Sequence, residues 1–146
     1  MRGLLRALVN GYGFLGKRVA RSILLGKLQG VRLVAVARST GYLYRPEGLR
    51  AEELGNDLSG SPHFVEGSAL GLLEDGKVDL LVELTPTNLP SGEPALTNIR
   101  TALSRGIDVV TANKAPIALA YRELKEVARS TEPSSSSRGL WAEGYR

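Results

Sequence analysis

The sequence predicts a single α/β domain built on a doubly wound, mainly parallel sheet. Three observations carry this. Four short runs, Leu4–Val9, Val31–Ala37, Asp79–Leu84 and Ile107–Val110, are apolar without alternation, as parallel strands covered on both faces should be. Helical patterns lie between them. The first run leads through Asn10 into Gly11-Tyr12-Gly13-Phe14-Leu15-Gly16, a Gly-x-Gly-x-x-Gly placed where a strand ends and a helix begins. Strands alternating with helices make right-handed βαβ units, and with the glycine motif they read as a Rossmann-like arrangement.

The elements follow in order. Leu15, Val19 and Ile23 share one face of a first helix. Pro94-Ala95 opens another, on which Ile99, Ala102 and Leu103 recur at helical spacing. Pro116 suits a first helical turn, and Ala120, Leu124 and Val127 form a stripe ending near Arg129. Gly30, Gly76 and Gly106 sit just beyond helical patterns, where a left-handed cap residue is wanted. Gly41 to Pro62 breaks the rhythm and reads as a long loop at the carboxyl edge of the second strand, with at most one short helix near Leu49–Leu54. The domain therefore spans 1–129. Residues 130–146, with Thr131-Glu132-Pro133 and the run Ser134 to Ser137, read as a serine-rich tail that is disordered or only weakly attached.

At 146 residues and 42% hydrophobic, the chain suits one domain with an ordinary core. It has no cysteine, which excludes disulfides and thiolate metal sites, and one histidine, His63. No apolar run approaches the roughly 18 to 20 residues of a membrane span. Arg2 and Arg6 flank Leu4 and Leu5 in the manner of a signal peptide, but that run feeds directly into the glycine motif. A soluble, cytoplasmic protein with no membrane partner is expected. The net charge is +4, yet the 19 Lys and Arg are spread along the chain without interleaved aromatics. That argues against a nucleic-acid partner, and a basic domain suits a phosphorylated cofactor.

Each glycine of the motif has its own reason. Gly11 permits the tight turn out of the strand, Gly13 lets backbone approach a pyrophosphate, and Gly16 lets the helix pack against the strand. A phosphate would sit at the helix N-terminus, beside Phe14 and Leu15, where unpaired N–H groups favour an anion. The tip of the second strand reads Ala37-Arg38-Ser39-Thr40. An NAD site normally carries Asp or Glu there. A guanidinium with adjacent hydroxyls suits the 2′-phosphate of NADP instead, so NADP(H) is the expected cofactor, with NAD as the alternative. The plainer reading of Arg38 is a surface arginine at a strand end.

Further on come Val82-Glu83-Leu84-Thr85-Pro86-Thr87-Asn88, Gly92-Glu93-Pro94-Ala95, and Val109-Val110-Thr111-Ala112-Asn113-Lys114-Ala115-Pro116. Together with the glycine loop, these segments closely resemble the amino-terminal cofactor domain of homoserine dehydrogenases, over roughly residues 4 to 129. The resemblance implies reduction of aspartate 4-semialdehyde to homoserine with a nicotinamide cofactor. It implies that Thr85, Pro86 and Thr87 lie beside the nicotinamide, and that Asn113 and Lys114 face the reacting carbonyl. Lysine suits that chemistry in its own right, because hydride addition leaves negative charge on the aldehyde oxygen, which an ammonium stabilises or protonates. The alternative for Lys114 is a solvated lysine at a helix start. Glu83 either orients a loop at the strand end or bonds backbone groups, and the second is preferred.

The resemblance also implies a substrate-binding and dimerising domain that completes the active site, and none of it maps onto this chain. Little or no dehydrogenase activity is expected of the chain alone, since the aldehyde must be held within roughly 3 to 3.5 Å of the hydride. The surface that domain would cover favours a homo-oligomer. Two other functions stay open: a stand-alone NADP(H)-binding regulatory module, and the cofactor domain of another oxidoreductase acting on a small aldehyde or imine. The Thr-Ala-Asn-Lys segment favours the dehydrogenase over the last of these.

Overall fold

The computed structural model describes residues 3–55, 57–86, 90–112, 122, 125–130 and 140–142. Its elements run β1 (Leu5–Asn10), α1 (Phe14–Leu24), β2 (Val31–Arg38), β3 (Gly41–Tyr44), β4 (Phe64–Glu66), α2 (Leu70–Glu74), β5 (Leu80–Glu83), α3 (Ala95–Ser104), β6 (Asp108–Thr111) and β7 (Leu140–Ala142). One sheet holds them in the order β4-β3-β2-β1-β5-β6-β7. The four predicted strands, now β1, β2, β5 and β6, run parallel, whereas β3 pairs antiparallel with β2 and β4 pairs antiparallel with β3. The fold is α/β with a mostly parallel sheet, as the apolar runs predict.

The uniform apolarity of those runs has a direct cause. Val9, Leu33, Val36 and Val82 pack on one face with Ala20 and Ile23 of α1. Leu8, Val34, Ala35, Leu81 and Val109 pack on the other with Leu72 and Leu73 of α2 and Ile99 and Leu103 of α3. Val34 and Ala35 share a face because the β1–β2 register shifts: Ala7 pairs with Leu33 and Leu8 with Ala35, which leaves Val34 as the extra residue of a bulge. At the amino end of the sheet the Arg6 guanidinium donates to both carboxylate oxygens of Asp79, at 2.9 and 3.0 Å, and clamps the start of β1 to the entry of β5.

The first helix keeps its predicted face at Val19 and Ile23, which pack into the core, and departs from it at Leu15. Gly16, Ala20 and Ile23 are its buried residues, while Leu15 is 48% exposed. A helix rotates about 100° per residue, and the close approach to β1 occurs at Gly16, which turns Leu15 outward. Gly76 and Gly106 do follow α2 and α3 with φ of +66° and +72°. Gly30 does not cap α1: the helix ends at Leu24, Gly26 takes the left-handed conformation just beyond it, and Gly30 (φ +80°) serves the turn into β2.

The region expected to be a long loop is more ordered than that. Gly41–Tyr44 forms a strand against β2, with Leu43 opposite Val36, and Phe64–Glu66 extends the sheet beyond it. Between them lie two 3-10 turns, Ala51–Glu53 within the predicted helical stretch and Leu58–Gly60. Residues 125–130 are helical, and Val127 packs against the α2–α3 core; Pro116, Ala120 and Leu124 lie outside the described residues. Within the expected tail, Leu140–Ala142 pairs parallel to β6, with Val109 opposite Leu140. Leu-Trp-Ala is an apolar triplet that can extend a sheet, and the serine run lies outside the described residues. No helix among the described residues is long and apolar enough to cross a membrane.

Candidate functional site

The chain leaves β1 through α1 toward β2, while the next parallel strand, β5, lies on the other side of β1. This reversal of direction opens a crevice at the carboxyl ends of β1 and β5, the place where open α/β sheets take ligands. A cleft of about 990 Å³ occupies it. Gly11, Tyr12 and Gly13 line its middle, Arg38 and Ser39 one end, and Thr85 and Pro86 the other.

The glycine turn is built by close contacts. The Gly11 N–H donates to the Ala37 carbonyl at 2.9 Å, and the Leu84 N–H to the Asn10 carbonyl at 2.7 Å, so the turn is held between the ends of β2 and β5. Gly11 has φ +112°, and a Cβ there would lie 2.6 Å from the Leu84 carbonyl. A Cβ on Gly16 would lie 1.9 Å from the Gly11 carbonyl oxygen and 3.7 Å from the Val9 side chain of β1, so the helix closes here on both the turn and the strand. Gly13 is different, because a Cβ there would meet nothing within 4 Å. Gly13 caps α1 without a side-chain hydrogen bond, and the first helical turn carries no acidic residue. An uncapped, acid-free helix start facing an open cleft fits a pyrophosphate.

Behind the Thr85 end lies Glu83, fully buried at the tip of β5. Its carboxylate accepts from Asn10 Nδ2 at 2.9 Å, from Asn98 Nδ2 of α3 at 3.4 Å and from Thr85 Oγ1 at 2.5 Å. Burial pushes this carboxyl above its ordinary range, and the hydrogen bonds from Thr85, Asn10 and Asn98 oppose that in part. The preferred reading of Glu83, as a partner of backbone groups, holds in part: the Thr85 backbone N–H is one donor to it, but three side chains also hold its carboxylate and tie it to the loop after β5. Nearby, Glu93 accepts the Thr97 N–H at 2.7 Å and so caps the first turn of α3.

At the opposite end, Arg38 closes β2 and approaches exposed Asp57 at 3.9 Å, a loose pair with the guanidinium itself 41% exposed. The Tyr12 hydroxyl donates to the Gly55 carbonyl at 3.1 Å and ties the glycine turn to the segment beyond the first 3-10 turn; burial pushes that phenol up.

Of the residues singled out from sequence, Gly11, Gly13, Arg38, Ser39, Thr85 and Pro86 come together around one cleft. Phe14, Leu15 and Gly16 form the first turn of α1 beside it rather than its wall, with Phe14 79% exposed. Thr87, Asn113 and Lys114 lie outside the described residues. Asn10 and Asn98 also line the cleft and were not singled out. For Asn98 a signal existed: it lies on the same helical face as Ala95, Ile99 and Ala102, a polar residue in a buried stripe.

Fold and cleft together define a dinucleotide-binding domain of the Rossmann-like class. Comparison with known proteins narrows this. Residues 11–134 match the family model described as homoserine dehydrogenase, NAD binding domain. The chain is 31% identical over 135 residues to the homoserine dehydrogenase of Methanocaldococcus jannaschii, covering 84% of this chain and 40% of that protein. It is 50% identical over 58 residues to an NAD(+)-dependent homoserine dehydrogenase of Pseudomonas canavaninivorans, covering 40% of this chain and 16% of that protein. A solved hyperthermophilic archaeal homoserine dehydrogenase in complex with NADPH superposes with a TM-score of 0.70 at 26% identity, covering 95% of this chain and 43% of that one. The chain belongs to the homoserine dehydrogenase family, through its NAD(P)-binding domain. It spans about two fifths of the length of the first of these relatives.

Proposed function

We propose that this chain binds NADP(H) along the cleft and acts as the cofactor part of a homoserine dehydrogenase, which interconverts aspartate 4-semialdehyde and homoserine. One observation carries the reading: the open, uncapped start of α1 lies in a single cleft between Arg38 at one end and Thr85 at the other. When bound, the nicotinamide supplies or accepts the hydride. The first turn of α1 takes the pyrophosphate, and the absence of a Cβ on Gly13 lets the backbone approach it. The Arg38 guanidinium takes the 2′-phosphate, since a phosphate dianion binds it more strongly than exposed Asp57 does at 3.9 Å. Thr85, Pro86 and Thr87 flank the nicotinamide, and Asn113 and Lys114 face the carbonyl, where the ammonium stabilises the developing oxyanion. The relative solved with NADPH supports the phosphorylated cofactor; the NAD(+)-dependent relative is the reason to test it.

The test is a titration of the purified chain with NADPH and, separately, NADH, following nicotinamide fluorescence. NADPH is expected to bind more tightly, and Arg38→Ala to weaken NADPH by about tenfold or more while leaving NADH nearly unchanged. Equal loss for both cofactors discards the phosphate argument, and no binding of either discards the cofactor reading.

A further inference from the structure

Glu83 is not part of the cleft wall, yet each side chain that bonds its carboxylate is: Asn10 from the end of β1, Thr85 from the loop after β5 and Asn98 from α3 all line the cleft. Its own backbone is pinned as well, with the Thr111 hydroxyl donating to the Glu83 carbonyl at 2.7 Å. A carboxylate oxygen facing an amide selects the NH2 side of that amide. Asn10 and Asn98 therefore give their nitrogens to Glu83, and each keeps its amide oxygen as an acceptor. Both asparagines are themselves buried to more than nine-tenths, at 8% and 7% exposure, so their orientation is decided by this one carboxyl rather than by water.

We propose that Glu83 is a positioning residue for the nicotinamide half of the cleft: by holding the NH2 groups of Asn10 and Asn98 and the hydroxyl of Thr85, it presents two amide oxygens as acceptors for a carboxamide NH2. The inference rests on the cofactor reading above and assigns the recognition of the nicotinamide's amide, a group the glycine turn and Arg38 do not touch. Asn10 precedes Gly11 directly, so the same carboxyl couples the glycine turn to the loop carrying Thr85. Among the described residues no cation acts on Glu83; its partners there are neutral donors, which suits a group that sets hydrogen-bond direction rather than charge.

Glutamine at position 83 has nearly the same volume but carries its own NH2. One of the two asparagines must then turn its oxygen toward position 83, and the cleft loses an acceptor. The experiment compares wild-type chain and Glu83→Gln by calorimetric titration with NADPH and with 2′-phospho-ADP-ribose, the same molecule without the nicotinamide. Thermal unfolding serves as the check on folding. The variant is expected to weaken NADPH about tenfold, the worth of one well-placed hydrogen bond, and to leave 2′-phospho-ADP-ribose within about twofold. Should Glu83→Gln fail to fold, Asn98→Ala removes one acceptor while leaving the carboxyl and its other partners, and the same split between the two ligands is expected. Parallel weakening of both ligands, or undiminished NADPH binding by a folded variant, overturns the positioning role. A wild-type chain that binds neither ligand overturns the cofactor reading and this inference with it, whereas tight wild-type binding with parallel loss in the variant overturns this inference alone.

Discussion

Gly13 and Gly16 stand three residues apart under opposite constraints. At Gly16 an added methyl would meet the Gly11 carbonyl oxygen at 1.9 Å, a backbone atom that cannot step aside without opening the turn. Gly16→Ala is therefore expected to destabilise the fold by about 3 kcal/mol, read by urea denaturation. At Gly13 the methyl would enter open space, and φ of −90° is available to alanine. Gly13→Ala should cost less than about 1 kcal/mol of stability yet weaken NADPH markedly in the same titration. Equal stability losses would mean that the turn, not the ligand, requires both glycines. Glu83 adds a dependence on pH. Its carboxyl is raised in the folded state, so the folded chain keeps a proton that the unfolded chain has already released. Its contribution to stability is complete below the ordinary carboxyl range and is lost as pH rises through the raised value. Stability should decline as pH rises above the ordinary carboxyl range, and Glu83→Gln should flatten that part of the decline. A slope that survives the substitution would assign it to another group.

At the scale of elements, the parallel strands were legible because burial on both faces leaves an uninterrupted apolar run, and α3 was legible from its helical spacing. Strand β3 was not. Its two tyrosines favour a strand, but four residues opened by Gly41 and followed closely by Pro46 are too short a run to stand out, and the strand exists because β2 offers it an edge. Leu43 is fully buried there against the α1 side of the sheet. Leu43→Ala should then cost about 2 to 5 kcal/mol, as a core truncation does; a loss near zero would return this stretch to the status of a surface loop. The outward turn of Leu15 in α1 is not legible for a related reason. Periodicity shows that a helix has an apolar side, but the contact of Gly16 with the Gly11 carbonyl decides which residues turn inward.

For the whole molecule, the ligand end of the sheet follows from topology. Strand order puts the carboxyl ends of β1 and β5 side by side where the chain reverses direction, and that brings residues 11, 38 and 85 to one cleft. The sequence by itself determined the α/β class, the four parallel strands, the glycine turn and the family, because each is written in local pattern: apolar runs, glycines where backbone must bend or approach, and contiguous motifs. Only the tertiary structure decided strands β3 and β4, the outward turn of Leu15 and the partners of Glu83. Those depend on contacts between residues far apart in the chain, such as Asn10 with Glu83 across 73 positions, and no local spacing carries that information.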